Sequence, residues 1–181
     1  MPRPAATPAS SARRRPPVVS ILRDATVIVL TALAWTAERH GAPVHGALAT
    51  AVSIAAGILT ALSGFVLHEW GHLAGALASG SAVHFPGRLT APLLFHFDTA
   101  RNDRRQFLHM SYGGFAASAV VLAVLAAALP LDRVAGRIAA VLAGIGTIVS
   151  LAAEVPTAVR VARGAPLPTG YAFTSPRPGA G

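Results

Sequence analysis

The feature that most constrains this chain is a stretch from Val44 to Gly80 whose only charged residue is Glu69, held in His68-Glu69-Trp70-Gly71-His72. A bilayer crossing takes about 20 apolar residues, so this run is long enough to make one. A carboxylate flanked by imidazoles is costly at that depth unless something compensates it. A bound metal ion is the simplest compensation. On a helix, residues i and i+4 lie one above the other, so His68 and His72 can address a single ion. Glu69 lies about 100° round the helix from His68, within reach of a water on that ion. Zinc lowers the pKa of such a water to about 7. Glu69 is then the expected catalytic residue, taking the proton from the water and passing it to the leaving amine. The pattern predicts a metal-dependent hydrolase set in a membrane.

Composition agrees. Of 181 residues 53% are hydrophobic and only 12% are charged, about half the charged share of soluble domains. The absence of cysteine excludes disulfides and thiolate ligands. One zinc ion per chain must therefore be held by histidine and carboxylate, donors that also suit iron or manganese. The net charge of +8 comes from arginine alone, since there is no lysine. Twelve of the fifteen arginines lie in the N-terminal segment (counting Arg23), the 81–105 loop and the C-terminal tail. The positive-inside rule then puts both termini in the cytoplasm. No aromatic residues accompany the basic ones, so nucleic-acid binding is not expected. The bias to Arg, Ala, Gly and Pro points to a GC-rich bacterial genome, hence a bacterial cytoplasmic membrane.

The hydropathy pattern predicts an all-α transmembrane helix bundle of about four spans, with a small β-hairpin inserted between spans two and three. The spans are expected at 18–37, 44–79, 107–129 and 133–153, within a membrane domain covering 18–160. Gly80 fits the residue just past a helix end, and Pro130 and Pro156 fit helix stops. Residues 1–17 read as a disordered basic tail and 161–181 as a flexible C-terminal tail. The 81–105 loop holds two short β-type runs, Val83-His84-Phe85 and Leu93-Leu94-Phe95-His96-Phe97, broken by Pro86-Gly87 and Pro92.

A catalytic zinc needs a third protein ligand. Spans two and four run in the same direction. His68 lies about 36 Å along the first of them and Glu154 about 31 Å along the second, at 1.5 Å per residue. Glu154 is also the only acid within span four, which makes it the leading candidate. Asp98 and His96 at the hairpin end come next, and His109 near the start of span three is also within reach. Glu154 has a competing reading as an interfacial carboxylate paired with Arg160. His40 and His45 lie on the opposite side.

With these residues in order, the chain resembles the site-2 protease family of intramembrane zinc metalloproteases (peptidase family M50). His68-Glu69-Trp70-Gly71-His72 is similar to that family's H-E-x-G-H. A short β region follows at 81–98, then a helix opening with Ser111-Tyr112-Gly113-Gly114, then a helix with an acid near its cytoplasmic end, Glu154. The similarity covers roughly residues 45–165. Glu154-Val155-Pro156 stands where the family has Asp-Gly, and Ala117 and Ser118 stand near the family's Asn. The resemblance implies cleavage of transmembrane protein substrates, with zinc on His68 and His72 and Glu69 as general acid and base. It also implies that the hairpin pairs with an unwound substrate strand, with Phe95 and Phe97 as substrate-binding residues.

Overall fold

The computed structural model describes residues 18–40, 46–86 and 93–169. The expected tail 1–17, residues 44 and 45 of the second expected span, and 170–181 lie outside the described residues. Four helices form: α1 (Val18–His40), α2 (Ala47–Ala78), α3 (Arg104–Ala128) and α4 (Val134–Ala162). Each is long and apolar enough to cross a membrane, and the chain reads as a multi-pass membrane protein. A two-stranded antiparallel hairpin, β1 (Val83–His84) and β2 (His96–Phe97), lies between α2 and α3. Its register pairs Val83 with Phe97 and His84 with His96.

The helix ends follow local chemistry. Gly80, at φ 71°, ends α2 in the left-handed region, and Ser81 N–H reaches back to Ala76 O at 2.9 Å. α3 begins three residues earlier than the hydropathy predicts. Asp103 accepts from Gln106 N–H at 2.9 Å while the Gln106 side chain accepts from Asp103 N–H at 2.9 Å, a reciprocal cap. The largest departure is α4, expected to stop near 153 but continuing through Pro156 to Ala162. Proline inside a membrane helix is tolerated where hydroxyls help satisfy freed backbone carbonyls. The carbonyl freed by Pro156 is that of Ala152; next to it, the Thr157 hydroxyl donates to Ala153 O at 3.4 Å. Val161, expected in the flexible tail, is buried in the core, and Leu167 packs against that core.

α1 and α2 meet along a polar seam. The Thr31 hydroxyl lies 2.8 Å from that of Ser63, and Trp35 Nε1 donates to Thr60 Oγ1 at 2.8 Å. α2 and α3 meet through glycine. A Cβ on Gly75 would collide with the His109 carbonyl, and one on Gly71 with Ala117 Cβ and the Gly113 carbonyl. Such small-residue contacts let membrane helices approach closely. An apolar cluster of Leu73, Leu94, Phe95, Phe97, Phe107 and Met110 packs the hairpin against α2 and α3.

Gly75→Ala is therefore expected to destabilise the bundle by about 1–3 kcal/mol through overpacking. Gly144→Ala, with nothing within 4 Å of the added carbon, is expected to be neutral. Midpoints of SDS-induced unfolding from mixed micelles measure both. Equal midpoints would mean that α2 and α3 do not approach this closely.

Candidate metal centre

Two buried histidines on one face of α2 meet a carboxylate from α4. His68 Nε2 lies 3.2 Å from Glu154 Oε1, and His72 Nε2 lies 3.2 Å from Glu154 Oε2. The two Nε2 atoms are 3.0 Å apart. His68 and Glu154 sit at depths within about one turn of each other along their helices, and the fold brings the three side chains into contact. The alternative pairing of Glu154 with Arg160 is not formed; Arg160 instead donates to Thr157 Oγ1 at 3.4 Å.

The opposite edge of each imidazole is held by α3. His72 Nδ1 contacts Met110 O at 3.0 Å. His68 Nδ1 contacts Ser118 Oγ at 2.8 Å and Gly114 O at 3.2 Å. Carbonyls only accept, so each Nδ1 carries its ring's proton. In the neutral rings both Nε2 lone pairs then face each other and the Glu154 oxygens, with no proton between them. Glu154 Oε2 has no hydrogen-bond partner among the described residues in spite of its 3.2 Å approach to His72. Four acceptor atoms converging this way require a cation or an added proton. Zinc–ligand bonds of about 2.0–2.1 Å in a tetrahedron separate the ligand atoms by roughly 3.3 Å, so the donor set and its spacing fit a zinc-sized ion. Among the described residues, this is the one group of three or more such side chains close enough to hold a metal.

Glu69, beside His68 on α2, is held by the hairpin, where its Oε2 accepts from Leu94 N–H at 3.3 Å. It is 3% exposed, and Oε1 has no partner among the described residues. A cavity of about 60 Å³ between α2, α3 and α4 reaches His68 and Ser118, with Thr147 and Ser150 adding hydroxyls.

The other expected site residues go elsewhere. Asp98 pairs with His84 at 2.9 Å and accepts from Ala100 N–H at 3.0 Å, in the turn that leads from β2 to α3. His96 faces His84 across the strands; burial, and then the neighbouring His84, push its pKa below the usual histidine range. His109 is exposed on the outer side of α3, since the inner side is occupied by the glycine contact with α2. Phe95 and Phe97 are wholly buried in the apolar cluster, so their side chains pack the hairpin and present no surface to a substrate.

Two contributors had weak sequence signals. Ser118 was visible only as a small polar residue at the position where the resembled family has Asn. Asp24 read as a charge near the start of span one. It is in fact buried, accepting from Trp70 Nε1 at 2.8 Å and from Arg23 Nε at 2.8 Å. The signal was its intramembrane position, because buried acids in spans have partners. No family model, curated protein or solved structure matches this chain.

Asp24→Ala leaves the half-buried Trp70 indole N–H without its acceptor and is expected to cost about 1–3 kcal/mol. Asp24→Asn keeps an acceptor and is expected to cost less. SDS unfolding midpoints decide, and equal losses would mean that the Trp70 contact contributes nothing.

Proposed function

We propose that this chain is an intramembrane zinc-dependent metalloprotease of the site-2 type, hydrolysing peptide bonds in membrane-embedded protein segments. On this reading it lies in a bacterial cytoplasmic membrane with both termini cytoplasmic. The observation that carries the proposal is the convergence of His68, His72 and Glu154 on one point, one residue from a buried Glu69. These three residues would hold the ion, and Glu154 would serve as the third protein ligand.

When bound, the ion supplies Lewis acidity and makes hydroxide available near neutral pH. The chain's own groups do the rest. Ser118 and the carbonyls of Gly114 and Met110 hold the imidazoles with Nε2 inward. The cavity at His68 has room for roughly four waters at about 15 Å³ each, and its hydroxyls can bind them. Leu94 N–H fixes one Glu69 oxygen and leaves the other to hold a proton. Glu69 accepts that proton from the attacking water and returns it to the amide nitrogen that leaves.

A second reading is favoured by one observation. Glu69 is sealed beneath Leu94, as in a metal-binding scaffold that performs no chemistry.

Elemental analysis of the detergent-purified protein is expected to give about one zinc per chain, and none in His68→Ala/His72→Ala. Glu69→Gln is expected to keep the zinc and lose cleavage of transmembrane test peptides. Cleavage unaffected by Glu69→Gln would sink the enzyme reading. Zinc retention without cleavage by the parent would favour the scaffold. Ser118→Ala is expected to weaken zinc binding by about 10–100-fold, as loss of a group that orients a ligand does. A competition titration against a chelator measures it, and unchanged affinity would remove Ser118 from the site.

A further inference from the structure

Five exposed arginines gather at one end of the bundle. Arg101, Arg104 and Arg105 lead into α3, and Arg160 and Arg163 end α4. Arg104 packs against Gly164, so the two helix ends meet. None of the five makes an ion pair with a carboxylate among the described residues. The nearby acids are engaged elsewhere: Asp98 with His84, and Asp103 as the cap of α3.

Part of this charge is organised. Arg104, Arg105, Leu108, His109 and Tyr112 follow one stripe of α3 and line a pocket of about 450 Å³ with Asp103. His109 Nδ1 donates to Arg105 O at 2.8 Å, which orients the ring and directs Nε2 outward. Tyr112 is exposed, with its ring 6.5 Å from that of Phe115 one turn deeper. At 1.5 Å per residue, His109 lies about 7 Å and Tyr112 about 12 Å below Arg104. The headgroup layer of a leaflet is about 5–7 Å thick. With Arg104 at the phosphate level, the stripe would reach the edge of the hydrocarbon near His109 and put Tyr112 just inside it, close to the interface where tyrosine is favoured.

We propose that this stripe binds an anionic phospholipid through its phosphate diester headgroup. Arg104 and Arg105 meet the phosphate charge. The Tyr112 hydroxyl donates to the headgroup or glycerol oxygens, His109 Nε2 accepts from a headgroup hydroxyl, and an acyl chain runs past Leu108 and Phe115. Orienting the chain in the membrane needs only charge, and leaves His109 and Tyr112 on the same stripe without a role. A water-soluble acidic peptide would not reach the lower half of the pocket, which lies at hydrocarbon depth. The proposal does not rest on the metal or protease reading.

The test is native mass spectrometry of the full chain in dodecyl maltoside, titrated with phosphatidylglycerol and, separately, phosphatidylcholine. The parent is expected to prefer phosphatidylglycerol. Arg104→Gln/Arg105→Gln is expected to weaken that binding about thirtyfold. His109→Asn/Tyr112→Phe, which removes no arginine, is expected to weaken it about tenfold. The control pair Arg101→Gln/Arg163→Gln removes as much charge from the same end and is expected to change it less than about threefold. An equal loss in the control pair, or no loss in His109→Asn/Tyr112→Phe, would overturn the site in favour of diffuse charge. Displacement of the lipid by equimolar glycerol phosphate or inorganic phosphate would overturn the lipid assignment in favour of a free-phosphate site. Equal displacement by an acidic peptide would overturn it in favour of a protein partner. Parental SDS unfolding midpoints in all three variants exclude misfolding as the cause of any loss.

Discussion

The close approach of α2 and α3 is the contact on which the rest of the site depends. Gly71 and Gly75 on one helix and Gly113 and Gly114 on the other remove the side chains that would hold the backbones apart. Only then do the carbonyls of Met110 and Gly114 reach the imidazoles of α2. Gly114 is the sharpest case, because a Cβ there would occupy the space of the His72 ring. The imidazole tautomers, and with them the inward direction of both Nε2 atoms, are therefore set by backbone packing between two helices. In lipid this is an economical arrangement, since the carbonyls and the ring N–H groups have no water to turn to.

The first helix is fastened to the same machinery by polar contacts. Thr31, Ser63, Trp35 and Thr60 tie α1 to α2 along their length. Asp24 then grips Trp70, which sits between Glu69 and Gly71 in the H-E-x-x-H motif. Hydrogen bonds between membrane helices average only about 0.6 kcal/mol when measured one at a time. Their value here lies in orientation: each contact fixes the rotation of α2 about its own axis. A turn of α2 that moved Trp70 off Asp24 would also swing His68 and His72 away from Glu154. α1 is thus part of the site's support as well as a membrane segment.

Much of the fold was legible because lipid imposes simple rules. Four long apolar runs had to become helices, and the polar break between the second and third had to hold anything else. The pairing of Glu154 with His68 was legible for a related reason: an acid and two histidines at matching depth have few other partners. What stayed hidden depended on packing that hydropathy does not encode. Pro156 looked like a stop, but α4 continues through it to Ala162. Phe95 and Phe97 looked available to a substrate, but the hairpin folds their side chains into the core. His109 looked within reach of the histidine pair because it shares its depth. It faces outward because helix phase, set by the glycine contact, decides which side of α3 meets α2.

Charge balance gives the proposed metal its strongest physical argument. Glu69 and Glu154 are both shielded from solvent, at the ends of apolar helices, and neither makes an ion pair with arginine among the described residues. Two ionised carboxylates in such surroundings carry a large desolvation cost. Protonated histidines would offset it too, each donating Nε2–H to a Glu154 oxygen 3.2 Å away, but they would set two cationic rings side by side with their Nε2 atoms 3.0 Å apart. A divalent cation among His68, His72 and Glu154 brings the net charge of the group, with Glu69 included, to zero. It also gives every inward lone pair a partner. A single ion therefore satisfies both the electrostatic and the hydrogen-bonding demands of this region, and the proposal predicts that the site is most stable when filled.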